Sequence, residues 1–121
     1  MNPFRDQEKF MKACNQSVSG HNEDQYDLYL DLIKEEVGEL QAAVDQCDPI
    51  EQLDALVDIL VVTIGAIHSA GFDAEGAWKE VMATNFAKID KETGKVRKRE
   101  DGKILKPTGW VAPSLSQFLP K

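Results

Sequence analysis

The sequence predicts an all-α fold: a four-helix bundle followed by a short C-terminal hairpin and an irregular tail. Three observations carry this. Apolar residues recur at three- and four-residue steps over two long stretches, proline and glycine stand at their boundaries, and the helical signal stops only after Ile89. With 121 residues, 42% of them hydrophobic and 29% charged, the chain has the composition of an ordinary globular protein and the length of a single domain, 1–121.

The first helix is weakly marked, from Arg5 to Gln16, and the turn-rich segment Ser17 to Asn22 ends it. From Glu23 to Cys47 the pattern is strong. Tyr26, Tyr29, Leu30, Ile33, Val37, Leu40, Val44 and Cys47 fall on one stripe. Asp48-Pro49 breaks this helix and starts a third, Pro49 to Ala70, because proline disfavours the α region in the residue before it and suits a first helical turn. Its main stripe is Leu53, Val57, Leu60, Ile64 and Ile67, with Gly71 as the terminating residue. Ile59 and Val62 point elsewhere, so its second half is apolar nearly all round, which predicts burial on several sides and a subunit interface in a homodimer or homotetramer. A fourth helix follows Asp73, the expected N-cap, through Phe86. Lys95–Arg99 and Lys103–Lys106 flank an Asp101-Gly102 turn and read as a hairpin. In the tail, Trp110 and Phe118 call for a packing partner.

Charge and composition exclude several classes. The longest apolar run, Ile59 to Ile67, is far short of the roughly 20 residues of a membrane span. The N-terminus lacks a signal pattern, and the two distant cysteines, Cys14 and Cys47, fit a reduced, cytoplasmic setting. A net charge of −7 argues against binding a nucleic acid polymer. The charge is divided: residues 1–60 hold 14 acids and 4 bases, whereas Lys88 to Lys106 hold 8 bases and 4 acids. One acidic and one basic wall suit a small polyphosphate carried with a divalent cation.

The acids fall on helical faces. Glu35-Glu36-Val37-Gly38-Glu39 is an EExxE motif whose Glu36 and Glu39 lie beside the apolar stripe of the second helix. On the third helix Asp54 and Asp58 stand four apart, and Asp58 borders the most hydrophobic segment of the chain. An unpaired carboxylate there needs a basic partner, a proton or a metal. Lys34 points outward and the third helix has no lysine or arginine, so Mg²⁺ or Mn²⁺ is the expected partner of Glu36, Glu39 and Asp58. The competing reading is a solvated acidic face; for Glu51, in a first helical turn, dipole compensation is expected.

EExxE followed by a DxxxD helix resembles the all-α nucleoside triphosphate pyrophosphohydrolase superfamily, which includes MazG proteins, phosphoribosyl-ATP pyrophosphohydrolase and phage-encoded relatives. Val81-Met82-Ala83-Thr84-Asn85-Phe86-Ala87-Lys88 and Asp101-Gly102-Lys103-Ile104-Leu105-Lys106-Pro107 look like the "SNxxK … dGKxxKP" signature of its MazG-like branch, and the similarity runs from Leu30 to Pro113. The resemblance implies metal-dependent cleavage between the α and β phosphates, giving a nucleoside monophosphate and pyrophosphate. It implies Glu36, Glu39, Asp54 and Asp58 as metal ligands, and Glu35 as a ligand or as the group that orients the attacking water. The commoner motif is EExxE…ExxD; here Ala55 stands three before Asp58, so the remaining carboxylate is Asp54 or Glu51.

Lys88, Lys103 and Lys106 are expected on the outer phosphates and Asn85 on a phosphate or the base, with surface solubility as the alternative for each lysine. Phe4, Phe10, Tyr26 and Trp110 are candidates for base selection, His21 reads as a loop residue, and His68 as a packed or dipole-compensating one. The short chain and the GKxxKP tail resemble phage and bacterial forms that trim dNTP pools, which favours a purine (d)NTP such as (d)GTP. The alternatives are dUTP or a noncanonical nucleotide, phosphoribosyl-ATP, and a non-catalytic helical interaction module.

Overall fold

A computed structural model describes residues 2–120. The order is α1 (Pro3–Ala13), α2 (Glu23–Asp45), α3 (Pro49–Ser69), α4 (Ala74–Phe86) and a single 3₁₀ turn, Ser116–Phe118. The fold is therefore all-α, as the periodicity predicts. The chain divides into two compact units, one running to Ala74 and taking in the residues from Leu119, the other spanning Glu75–Phe118.

Local signals account for the helix ends. Asn2, Asn22 and Asp48 are N-caps whose side-chain oxygens accept from backbone N–H groups of the first turn, at 2.8 Å for Phe4, 3.1 Å for Gln25 and 3.1 Å for Glu51. With Pro3 at the first helical position, the Asn2 cap starts α1 two residues earlier than the apolar pattern alone places it. All three helices of the first unit end in the same way. The N–H groups of Asn15, Cys47 and Gly71 bond the Lys12, Val44 and His68 carbonyls, and the next residues bond Met11, Ala43 and Ile67. This is the Schellman arrangement, and it requires a left-handed residue at each end. Gly71 fills that position at no steric cost, at φ 76°, whereas Asn15 and Cys47 hold it at 58° and 54°. Cys47 thus lies beyond α2, exposed, and does not close its apolar stripe.

In the first unit α2 packs along α3, and α1 packs on α3. Tyr29, Ala43, Ala55, Gly65, Ala66 and Ser69 are buried in this unit, and Ile59 and Val62 lie on the same side of α3 as Ala55 and Ala66. Gly65 permits the approach of α2: a Cβ there would strike the Tyr29 ring. Met11 of α1 is completely buried against the same cluster. Gln25 ties the layers together, its amide bonding the Ser17 carbonyl at 2.7 Å and the Ser69 hydroxyl at 2.8 Å. His68 is buried and donates from Nε2 to the Phe4 carbonyl at 2.8 Å, so it is the packed residue that its position predicts.

The main apolar stripes are less buried than periodicity implies. Val37, Val44, Leu53, Val57 and Leu60 are exposed, because they lie off the faces along which α2 and α3 meet.

In the second unit the predicted hairpin shrinks to one bridge, Lys98↔Ile104, flanked by Arg99 N–H to the Lys103 carbonyl at 2.8 Å and Leu105 N–H to the Arg97 carbonyl at 2.7 Å. Its arms are charged and too short to bury a face, so no strand forms among the described residues. A second turn, closed by Ile89↔Val96 with Gly94 at φ 70°, precedes it.

Candidate active site

The acidic motif of α2 and the acids of α3 come together in the first unit. Glu36 lies seven residues after the buried Tyr29 and seven before the buried Ala43, two full helical turns from each, so it lies within the α2 face that meets α3 and not beside it. Its Oε2 is shut off from solvent, and among the described residues no donor reaches it. Burial, then the closeness of the Glu39 carboxyl, then the charges of Glu39, Asp58 and Asp54, hold the Glu36 carboxyl above the usual carboxylate range. The four acids that the sequence singles out as ligands are therefore neighbours. Asp58 is half-buried, whereas Glu39, Asp54 and Glu35 are exposed.

Glu51 sits in the first turn of α3 with its N–H capped by Asp48, and it is absent from the charges that act on Glu36. Asp54, with Asp58, is among the charges that do act on Glu36. Among the described residues no three of these side chains already converge as a finished cation cage. The donor set nevertheless suits one. A buried carboxylate oxygen without a donor, surrounded by like charges, is the kind of oxygen that a hard divalent cation would satisfy.

The basic residues belong to the second unit. Lys88 donates from Nζ to Asn85 Oδ1 at 3.1 Å and lies 5.0 Å from the centre of the Trp110 ring. Lys106 lies 4.8 Å from the same ring. Asn85, Lys88 and Lys106 are therefore gathered, whereas Lys103 is exposed at the Asp101-Gly102 turn and, among the described residues, nothing joins its side chain to that group. Trp110, one of the aromatics that the sequence offers for base selection, is engaged by two ammonium groups. Of the other aromatics, Phe10 is exposed, and Tyr26 packs beside the core and meets the exposed His21 ring at 5.8 Å. His21 bonds Glu23 in a polar turn and is a loop residue as expected.

The phosphoribosyl-ATP pyrophosphohydrolase family matches residues 6–85, well over half of the chain. The chain belongs to that family. The match contains α2, α3 and all the clustered carboxylates, and the family lies within the MazG-like all-α pyrophosphohydrolase superfamily. Phosphoribosyl-ATP pyrophosphohydrolase membership implies a pyrophosphohydrolase that acts on a nucleotide-like substrate, and it favours an enzyme over a non-catalytic interaction module. The matched segment ends at Asn85, before Lys88, the GKxxKP segment and Trp110. No curated protein matches the chain.

Proposed function

We propose that the protein hydrolyses a nucleoside triphosphate between its α and β phosphates, in a Mg²⁺-dependent reaction that yields a nucleoside monophosphate and pyrophosphate. The observation that carries this reading is Glu36, whose buried oxygen lacks a donor in the midst of Glu39, Asp54 and Asp58. These four residues would hold the cation. When bound, such an ion neutralises phosphate charge and makes a coordinated water more acidic. Glu35, exposed on α2 and next to Glu36 in sequence, is suited to hold the attacking water by accepting its hydrogen. In the second unit Asn85 accepts from the Lys88 ammonium and fixes its direction.

A purine (d)NTP such as (d)GTP is the first substrate reading. The family match favours a second, phosphoribosyl-ATP, which presents the same α–β linkage to the same carboxylates. The test is a pyrophosphate-release screen over all (d)NTPs, dUTP, dITP and phosphoribosyl-ATP, with Mg²⁺ and then with EDTA. EDTA-sensitive release of pyrophosphate with a monophosphate product supports the reaction, and the ranking separates the two substrates. Intact nucleotides throughout would overturn it.

We also propose that the active form is a homodimer or homotetramer. Ile50, Leu53 and Leu60 are 78%, 64% and 63% exposed on α3, with Val57 beside them, which is a large apolar area for a protein of this size to leave in water.

A further inference from the structure

The end of α4 poses an accounting problem that the tail solves. A helix leaves its last four carbonyls without helical partners. Here Ala83 accepts from the Ala87 N–H, Asn85 from the Lys88 N–H, and Phe86 from the Ile89 N–H, each at 3.0 Å. The fourth, Thr84, accepts from the indole Nε1–H of Trp110 at 2.7 Å, across 26 residues of chain. This one bond fixes the ring against the helix end. The ring then has two cations on it, Lys88 at 5.0 Å and Lys106 at 4.8 Å. Two ammonium groups over one ring repel each other, and among the described residues neither has a carboxylate within ion-pair distance. The ring's π face offsets part of that repulsion, and a multiply charged anion would complete it. Lys88 is directed further by Asn85. Beside the ring lies an open cleft of about 470 Å³, formed by Ala83, Thr84 and Ala87 of the helix end and by Pro107 to Val111.

We propose that Trp110 is a positioning residue, whose indole holds the ammonium groups of Lys88 and Lys106 together as a two-cation clamp for a pyrophosphate group. The inference rests on the pyrophosphohydrolase reading for its ligand and on the Trp110 geometry for its form. The same chemistry is presented by the outer phosphates of a nucleoside triphosphate and by the pyrophosphate released from it. Either would accept hydrogen bonds from both Nζ atoms, and a single phosphate monoester would do so with less charge.

Calorimetric titration of the full chain in EDTA tests the clamp without turnover. One arm uses inorganic pyrophosphate and the other an α,β-methylene nucleoside triphosphate, which cannot be cleaved at that bond. Binding in the first arm assigns the clamp to the product, binding in the second alone assigns it to the substrate, and binding in neither overturns it. With a ligand bound, the double variant Lys88→Met/Lys106→Met weakens affinity at least tenfold. Trp110→Leu weakens it as much, although both lysines remain. Trp110→Phe, which keeps a π face but has no N–H, stays nearer the original protein. If the lysines serve only to balance the α4 C-terminus, these variants shift the melting temperature and leave anion affinity unchanged, which overturns the clamp. A protein that hydrolyses nucleotides while ignoring these variants refutes the clamp alone. One that binds pyrophosphate through them but cleaves nothing refutes the proposed reaction alone.

Discussion

Glu36 is the residue on which the proposed chemistry turns, and its environment makes a stability prediction. Its buried oxygen has no donor and its neighbours Glu39, Asp54 and Asp58 repel it. Glu36→Gln removes the charge and supplies a donor, so the metal-free protein gains about 1 kcal/mol, or about 4 °C in melting temperature. The same variant loses most of the thermal stabilisation that Mn²⁺ gives the original protein. Scanning fluorimetry with and without Mn²⁺ reads both effects, and a lower metal-free melting temperature for the variant would contradict the prediction. Tyr29 gives a pH prediction. Burial, partly offset by hydrogen bonds with Gln16 and Gln7 and joined by the Cys14 thiol, raises its phenol pKa above the ordinary value. The unfolded chain therefore releases this proton first. The contribution to stability is whole below about pH 10 and is lost as pH rises from there through the folded-state value. Tyr29→Phe has no such proton, so its urea midpoint declines less between pH 9 and 10.5 (a range set by the phenol's ordinary pKa near 10). Near neutrality it is less stable by about 1 kcal/mol, for the lost bond to Gln16 at 2.5 Å.

At the scale of elements, the three Schellman ends of the first unit differ in how well their sequence suits the backbone. Gly71 is unstrained and could not be replaced, since a Cβ there would lie 2.6 Å from the Gly20 carbonyl carbon. Cys47 holds a left-handed conformation at φ 54° with a full side chain that is exposed. Cys47→Gly should therefore stabilise the protein by about 0.5–1 kcal/mol, the balance of relieved strain against the extra entropy of an unfolded glycine. Denaturant unfolding followed by circular dichroism measures it, and no gain would show that Cys47 holds the position without strain. The helices themselves were legible in the sequence because caps and breakers are local: Asn22, Asp48-Pro49 and Gly71 bracket α2 and α3 almost to the residue. The start of α1 escapes the apolar pattern because Asn2-Pro3 is a cap signal outside it. The expected hairpin reduces to a single bridge because an Asp-Gly turn marks a reversal but does not supply arms with a face to bury.

At the scale of the whole molecule, the exposed apolar residues of α3 predict association. Leu53→Asp combined with Leu60→Asp should lower the mass measured by light scattering to that of one chain of 13.5 kDa, while the helical spectrum is kept. A single-chain mass for the unaltered protein would refute the oligomer. No single helix among the described residues is long and apolar enough to cross a membrane, so the patch is not part of a one-helix span.

The sequence alone determined the helical class, the order of helices, and the two acidic motifs, because periodicity, caps and i, i+3 or i, i+4 spacing are written within a few residues. It also carried the resemblance to the superfamily, through acidic motifs that lie inside the family match at residues 6–85. Only the tertiary structure decided which apolar stripe is used. Two long helices meet along one line each, and that line runs through Tyr29, Glu36 and Ala43 instead of through Val37 and Val44. It alone placed Glu36 within the seam, set Asp54 and not Glu51 among the charges that act on it, and brought Trp110 against two lysines, since each depends on residues distant in the chain. Local spacing states which side chains share a face; what that face meets is settled by packing.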